Sequence, residues 1–156
     1  GGGMSSRLFQ KLREEMGVGY YVRAGNDSYT DHGVFQVSAG VDNKRIIEVL
    51  NAVLLECDRL KKELVSEEEL NKVKECLIGN MKLSLESSDD IANFHGGQEL
   101  LKREIKSAED RALEVRKVTA KQIKDLANEI FVDKKLNLAL IGPFKDKAKF
   151  LKILKF

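Results

Sequence analysis

A succession of long amphipathic helical patterns across the middle of the chain constrains its fold more than any other feature. Apolar residues recur at three- and four-residue spacings, as is typical of helices that pack on one face. The longest pattern follows Asp42, and its apolar face is Ile46, Ile47, Leu50, Val53, Leu54, Cys57, Leu60 and Leu64. Ser66 with Glu69 and Thr119 with Gln122 have capping-box spacing, which predicts two further helix starts. Further helices are predicted over residues 5–16, 88–101, 108–116 and 145–154.

Few segments have the pattern of a β-strand. Residues 20–24 and 34–39 predict a hairpin around a turn at Gly25–Ser28, and Leu136–Ile141 predicts a third strand. Three strands are few, because sheets usually hold about five or six. We therefore expect the missing strands to lie upstream of Gly1 or to come from another chain. The predicted class is α+β, with a small, incomplete antiparallel sheet covered by several helices.

The charge balance excludes several classes of partner. The chain has 27 basic and 25 acidic residues, a net charge of +2, spread along its length. This balance predicts neither nucleic-acid nor membrane-surface binding. No apolar run approaches the roughly 20 residues that span a bilayer, and no signal-peptide pattern opens the chain. We expect a soluble protein of the cytoplasm or an organelle matrix. Gly1–Gly3 precede Met4, which indicates either a tag remnant or a cut inside a longer protein.

The metal-binding and nucleophilic residue types are sparse. His32 and His95 are 63 residues apart, and neither belongs to an HExxH or HxxEH motif. A catalytic zinc usually has three protein ligands, so no metal site is predicted in this chain. Cys57 and Cys76 lack CxxC spacing. A disulfide between them stays open, although small core residues are the favoured interpretation.

One stretch near the start is far more specific. Gly2–Phe9, then Leu12-Arg13-Glu14, then Gly17–Tyr20 closely resembles the second domain of the pitrilysin superfamily, which includes insulin-degrading enzyme and the mitochondrial processing peptidase. Later segments resemble that domain in the same order: Leu85–Ser88, Gly97–Leu101, Val118–Ala120 and Leu138–Pro143. The resemblance covers nearly the whole chain.

The resemblance implies that residues 1–156 are a single C-terminal domain, truncated at its N-terminus, of a two-domain zinc metalloendopeptidase. In that family the HxxEH zinc motif lies in the first domain, so this chain holds no cofactor and is expected to be inactive alone. The implied partners are a peptide substrate and a zinc-bearing domain of the same or another chain. A homodimer or heterodimer is compatible with this arrangement.

The resemblance also implies site residues. The family's second domain contributes an arginine and a tyrosine seven residues apart, and Arg13 and Tyr20 have that spacing here. A tyrosine hydroxyl can donate to the oxyanion formed in peptide hydrolysis, and a guanidinium can hold a substrate carbonyl. Tyr21 competes for the role, but a strand turns it to the opposite face. Gly2 and Gly3 are predicted to approach the substrate backbone, unless they only form a tight connection into the helix.

Two alternatives remain at this point. The superfamily includes subunits that have lost catalysis, so the chain could belong to a non-catalytic partner subunit that binds a peptide or another protein. A structural domain whose sheet is completed by self-association is the third interpretation.

Overall fold

The computed structural model describes residues 3–102 and 104–156, and these residues form two compact units. The first unit contains the described residues up to Glu63 together with Asp125–Phe156, and the second contains Leu64–Lys124. The second unit is therefore inserted into the sequence of the first. None of the helices in the described ranges is long and apolar enough to cross a membrane.

Helices dominate both units. The chain begins with α1 (Arg7–Phe9), which continues as a π-helix over Gln10–Glu15. The other helices are α2 (Ile46–Lys62), α3 (Glu67–Leu83), α4 (Ser88–Lys102), α5 (Ala108–Lys117), α6 (Ala120–Ile130) and α7 (Lys147–Leu151). Short 3₁₀ turns cover Asn43–Arg45 and Asp133–Lys135.

Polar caps fix the helix starts that the sequence predicted. The Ser66 hydroxyl accepts a hydrogen bond from the Glu69 N–H at 3.2 Å. Thr119 and Gln122 bond reciprocally, side chain to backbone, at 3.2 and 2.8 Å. These caps satisfy N–H groups that have no partner inside the helix. A third capping box, between Ser107 and Asp110, starts α5 and was not predicted from the sequence.

The sheet is an antiparallel hairpin, which confirms the α+β class. β1 (Tyr21–Ser28) pairs with β2 (Gly33–Gly40) along its whole length. The predicted turn at Gly25–Ser28 is wrong, because these residues continue the ladder. The turn is at Tyr29–His32, where the Tyr29 N–H donates to the His32 carbonyl at 2.9 Å and the two rings stack 4.5 Å apart.

The predicted third strand at Leu136–Ile141 is also wrong for the described part of the chain. The sheet there has two strands only. Leu136, Leu138 and Leu140 are partly buried, while the residues between them are exposed. The alternation of a strand is present, but a strand also needs a hydrogen-bonded neighbour.

The main apolar cluster of the first unit joins the N-terminal segment to the hairpin and α2. Its buried members are Leu8, Leu12, Val18, Val22, Val49 and Ala52. A second cluster of this unit contains Cys57 of α2, Ala127 of α6 and Phe131, the residue that follows α6. Burial of such side chains stabilises the fold by roughly 1.5–3 kcal/mol for each large residue.

The two cysteines differ in environment, and both are free thiols. Cys57 is buried, as expected for a small core residue, and this burial raises its pKa to about 11. Cys76 is exposed, so the prediction of a core position is wrong for it. It lies in α3.

Candidate functional site

A π-helical turn presents Arg13. The Met16 N–H donates to the Lys11 carbonyl at 3.1 Å, a five-residue step that widens the helix. Leu12 is only 1% exposed and fixes this turn in the core. Arg13, the next residue, is exposed, and its guanidinium carbon lies 5.0 Å from the centre of the Phe9 ring. Stacking of this kind holds a planar cation without neutralising it.

A tight loop leads from this turn to β1. The Val18 N–H donates to the Leu12 carbonyl at 2.8 Å, and the Val18 side chain is 4% exposed. Gly17 and Gly19 flank it with φ angles of +60° and +98°, which residues with a Cβ rarely adopt. The two glycines therefore allow the chain to fold back onto the helix before β1 begins.

The backbone of Tyr20 is fixed by a hydrogen bond, while its side chain is exposed. Its N–H donates to the Gly40 carbonyl at 2.7 Å, and its side chain is 86% exposed. Tyr21 is different, because its ring lies over Gly40, where an added Cβ would come within 2.6 Å of it. The structure thus separates the two adjacent tyrosines by environment. A hydrogen-bonded backbone with an exposed phenol suits a residue that binds something outside this unit.

A clamp that the sequence analysis missed holds the end of the Arg13 turn. Nη1 of Arg45 donates to the Met16 carbonyl at 2.9 Å, while Nε and Nη2 donate to the Glu48 carboxylate at 2.7 Å each. The hydrogen bond between the two side chains raises the pKa of Arg45 and lowers the pKa of Glu48. Arg45 is 29 positions from Met16, so no local pattern could have revealed the contact.

The predicted glycine contacts are only partly within the described residues. Gly2 lies outside them. The Gly3 carbonyl accepts a hydrogen bond from the Ser6 N–H at 3.0 Å, and the Ser6 hydroxyl caps α1. Apart from its neighbours in the chain, no atom of the described residues lies within 4 Å of the position that a Gly3 Cβ would occupy. Open space beside Gly3 leaves room for another molecule, and the substrate-binding role stays a prediction.

The two histidines are distant from Arg13 and Tyr20 in the sequence, and each contacts a residue of its own segment. His32 lies on the hairpin turn, with Nδ1 2.6 Å from a carboxylate oxygen of Asp31. His95 lies in α4, with its ring edge-on to Phe94 at 5.1 Å. Within residues 3–102 and 104–156, no three His, Cys, Asp or Glu side chains converge into a group that could hold a metal.

The fold and this loop define the class of protein, a helix-covered α+β domain built on an antiparallel hairpin. Residues 1–77 match the family model described as the Peptidase M16 inactive domain. This match to the M16 peptidase family and the similarity to the zinc proteases described next confirm the resemblance seen in the sequence.

Similarity to two bacterial relatives extends over more than nine tenths of the chain. An uncharacterized zinc protease of Streptomyces coelicolor, SCO5738, is 33% identical over 147 residues, covering 94% of this chain and 32% of its own length. The uncharacterized zinc protease YmxG of Bacillus subtilis is 32% identical, covering 92% of this chain and 35% of its own length. The chain therefore spans about a third of the length of these curated relatives.

Solved structures share the fold. A protease from Helicobacter pylori superposes with a TM-score of 0.73 at 24% identity, covering 83% of this chain and 31% of that one. A chain of complex III2 from Candida albicans, solved with Inz-5 bound, has a TM-score of 0.70 at 18% identity, covering 80% of this chain and 30% of that one.

Proposed function

We propose that this chain is the substrate-side domain of a zinc metalloendopeptidase, in which Tyr20 and Arg13 bind the peptide and its transition state. The observation that carries the proposal is the environment of Tyr20. Its phenol is exposed, yet its backbone is fixed to Gly40 and flanked by the buried residues Val18 and Val22. The sequence similarity to zinc proteases over more than nine tenths of the chain supports it.

The proposed chemistry follows from the charge that develops during hydrolysis. Attack on a peptide carbonyl leaves negative charge on its oxygen, and a fixed hydroxyl donor lowers the energy of that state. The guanidinium of Arg13 would donate to a neighbouring substrate carbonyl with two N–H groups in a rigid plane. Zinc, supplied by a domain outside this chain, would polarise the same carbonyl. The chain would be inactive by itself.

The test is Tyr20→Phe in the complete protein. Loss of the hydroxyl donor should lower kcat by about 10²–10³ with little change in thermal stability, because the side chain is exposed. Tyr21→Phe is the matched control and should leave kcat within a factor of about two. Equal rates for the Tyr20 variant and the wild type would reject the assignment.

A second variant tests Arg13 separately. Arg13→Lys keeps the charge but loses the planar fork, so KM should rise and kcat/KM should fall by about tenfold or more. Arg23→Lys, on an exposed position of β1, is the control. If both lysine variants behave alike, Arg13 has no directed contact with the substrate.

The alternative is a non-catalytic partner subunit that binds a peptide or another protein. The fold shared with a chain of complex III2 is compatible with this role. The complete protein separates the two, because a partner subunit would bind its target without zinc-dependent hydrolysis. In that case the complete protein would show no turnover, and a chelator would leave binding of the target unchanged. A homodimer or heterodimer would be consistent with either function.

A further inference from the structure

The Tyr20 loop, which runs from Met16 to Tyr20, is fixed at both ends by one other segment. At its start, the Met16 carbonyl accepts a hydrogen bond from Nη1 of Arg45 at 2.9 Å. At its end, the Tyr20 N–H donates to the Gly40 carbonyl at 2.7 Å. Gly40 and Arg45 both belong to the β2–α2 connection, residues 40–48, which includes the first turn of α2. This connection therefore determines where the loop begins and where it ends.

The β2–α2 connection has a defined conformation of its own. Oδ1 of Asp42 accepts a hydrogen bond from the Lys44 N–H at 2.8 Å, and the Asp42 carbonyl accepts one from the Arg45 N–H at 2.9 Å. Val41 packs against the main apolar cluster, and its Cγ1 lies 3.7 Å from the position of a Cβ on Gly19. The connection thus also lies beside the loop between its two hydrogen-bonded ends.

The side chain of Arg45 is the part of this arrangement that a substitution can remove. Its Nε and Nη2 donate to the two carboxylate oxygens of Glu48 at 2.7 Å each, and Nη1 is left to bond Met16. A planar guanidinium that is held along one edge by a carboxylate has few other orientations. The side chains of Arg45 and Glu48 are 38% and 49% exposed, so neither belongs to the apolar core.

The hydrogen bond from Arg45 bears on the Tyr20 loop as a whole. The Met16 N–H closes the π-helical turn that contains Arg13, and Tyr20 follows Met16 by four residues. Between them, Gly17 and the second glycine of the loop have positive φ angles, and glycine can adopt many other conformations. A loop of this kind needs a contact at each end to keep one conformation.

We propose that Arg45 is a positioning residue for Arg13 and Tyr20. Its hydrogen bond to the Met16 carbonyl sets the separation of these two donors, and Glu48 orients its guanidinium. The inference rests on the proposed function, because it concerns the same two donors. Displacement of a reacting group by about 1 Å can lower a rate by about 10²-fold, so a small movement of the loop would be sufficient.

The first test is Arg45→Ala in the complete protein. It should lower kcat by about tenfold or more, because the Tyr20 hydroxyl no longer has a fixed position. In a protein that already carries Tyr20→Phe, the same substitution should lower kcat by no more than about a further twofold, because Arg45 acts through that hydroxyl. Lys44→Ala removes a charge from an exposed position of the same 3₁₀ turn. This control should leave kcat within a factor of about two.

Two outcomes would overturn the inference, and they differ in what they say of the proposed function. If Tyr20→Phe lowers kcat and Arg45→Ala does not, or if Arg45→Ala has equal effects with and without Tyr20→Phe, Arg45 is not a positioning residue and the proposed function remains. If neither single substitution lowers kcat, the proposed function fails and the inference fails with it.

Chemical rescue separates positioning from a general loss of stability. Guanidinium chloride at about 10–50 mM should restore part of the kcat of Arg45→Ala, because the free ion can bridge Glu48 and the Met16 carbonyl as the side chain does. Methylammonium chloride at the same concentration has no planar fork and should not restore it. Equal effects of the two salts would assign the loss to a damaged fold and overturn the proposal.

Discussion

At the scale of single residues, Gly19 determines how the chain reaches Tyr20. Its φ of +98° lies in a region that costs residues with a Cβ about 1–3 kcal/mol. The space around it is ordinary, since the nearest atom to an added Cβ would be the Gly40 carbonyl oxygen at 3.5 Å. Backbone conformation, rather than crowding, therefore requires glycine here.

Gly19→Ala should lower the free energy of unfolding by about 1–3 kcal/mol, because alanine strains the same φ angle. Urea denaturation measures this change. Gly25→Ala is the control, since Gly25 is in β1 with no positive φ, and no described atom beyond its chain neighbours lies within 4 Å of an added Cβ. Equal stabilities for the two variants would contradict the assignment of strain.

The Cys57 thiol predicts a dependence of stability on pH. Burial raises its pKa from 9.0 to about 11, so the folded state keeps the proton longer than the unfolded state. The contribution is fully present below pH 9 and is lost as the pH rises through about 11. Two pKa units correspond to about 2–3 kcal/mol. Cys57→Ala should lose this dependence between pH 9 and 11, whereas Cys76→Ala should keep it.

At the scale of elements, a buried amide fixes the connection between α4 and α5. Nε2 of Gln98 donates to the Phe94 and Lys106 carbonyls at 3.2 and 3.1 Å. Its Oε1 accepts from the Lys106 N–H at 3.2 Å and from Nη2 of Arg111 at 2.8 Å. The Gln98 side chain thus uses both its donor and its acceptor groups. These hydrogen bonds hold the end of α4 against the connection to α5 and the first turns of α5.

Gln98→Ala should therefore destabilise the second unit by about 2–3 kcal/mol, because several partly buried groups lose their partner at once. Thermal or urea unfolding checks the value. Glu99→Ala, at the exposed neighbouring position of α4, should change stability by less than about 0.5 kcal/mol. If Gln98→Ala lowers the free energy of unfolding no more than Glu99→Ala does, the hydrogen bonds of the Gln98 amide do not stabilise the second unit.

At the scale of the whole molecule, the described residues offer exposed donor side chains and no group of possible metal ligands. No cluster of possible metal ligands exists among the described residues, while Arg13 and Tyr20 lie on the first unit. In the proposed enzyme, two domains have different roles. One domain would carry the zinc, and this one would carry donors for the substrate.

The isolated chain should accordingly show no peptide hydrolysis with added zinc. Zinc should also leave its thermal midpoint unchanged, because only a ligand that binds the folded state raises stability, and we expect no zinc binding here. The complete protein with zinc restored is the positive control. Zinc-dependent cleavage by the isolated chain would contradict the proposed division.

Local signals in the sequence were sufficient for the helices and insufficient for the sheet. Caps such as Ser66 with Glu69 depend on residues a few positions apart, so their spacing reveals them. The hairpin turn was misplaced because Asn26–Ser28 have turn-forming side chains, yet pairing with β2 extends through them. Leu136–Ile141 alternates correctly, but a strand also depends on a distant neighbour. The Arg45 clamp on Met16 is non-local for the same reason.

The insertion of residues 64–124 into the first unit has a consequence for the design of shortened versions. Nδ2 of Asn128 donates to the Lys61 carbonyl at 3.0 Å, and Phe131 packs in the cluster of Cys57, so both ends of the insertion are fastened within the first unit. The chain-entropy cost of closing a loop rises only logarithmically, by about 0.6 kcal/mol for each doubling of its length. A short flexible linker in place of residues 64–124 should therefore cost the first unit little closure entropy.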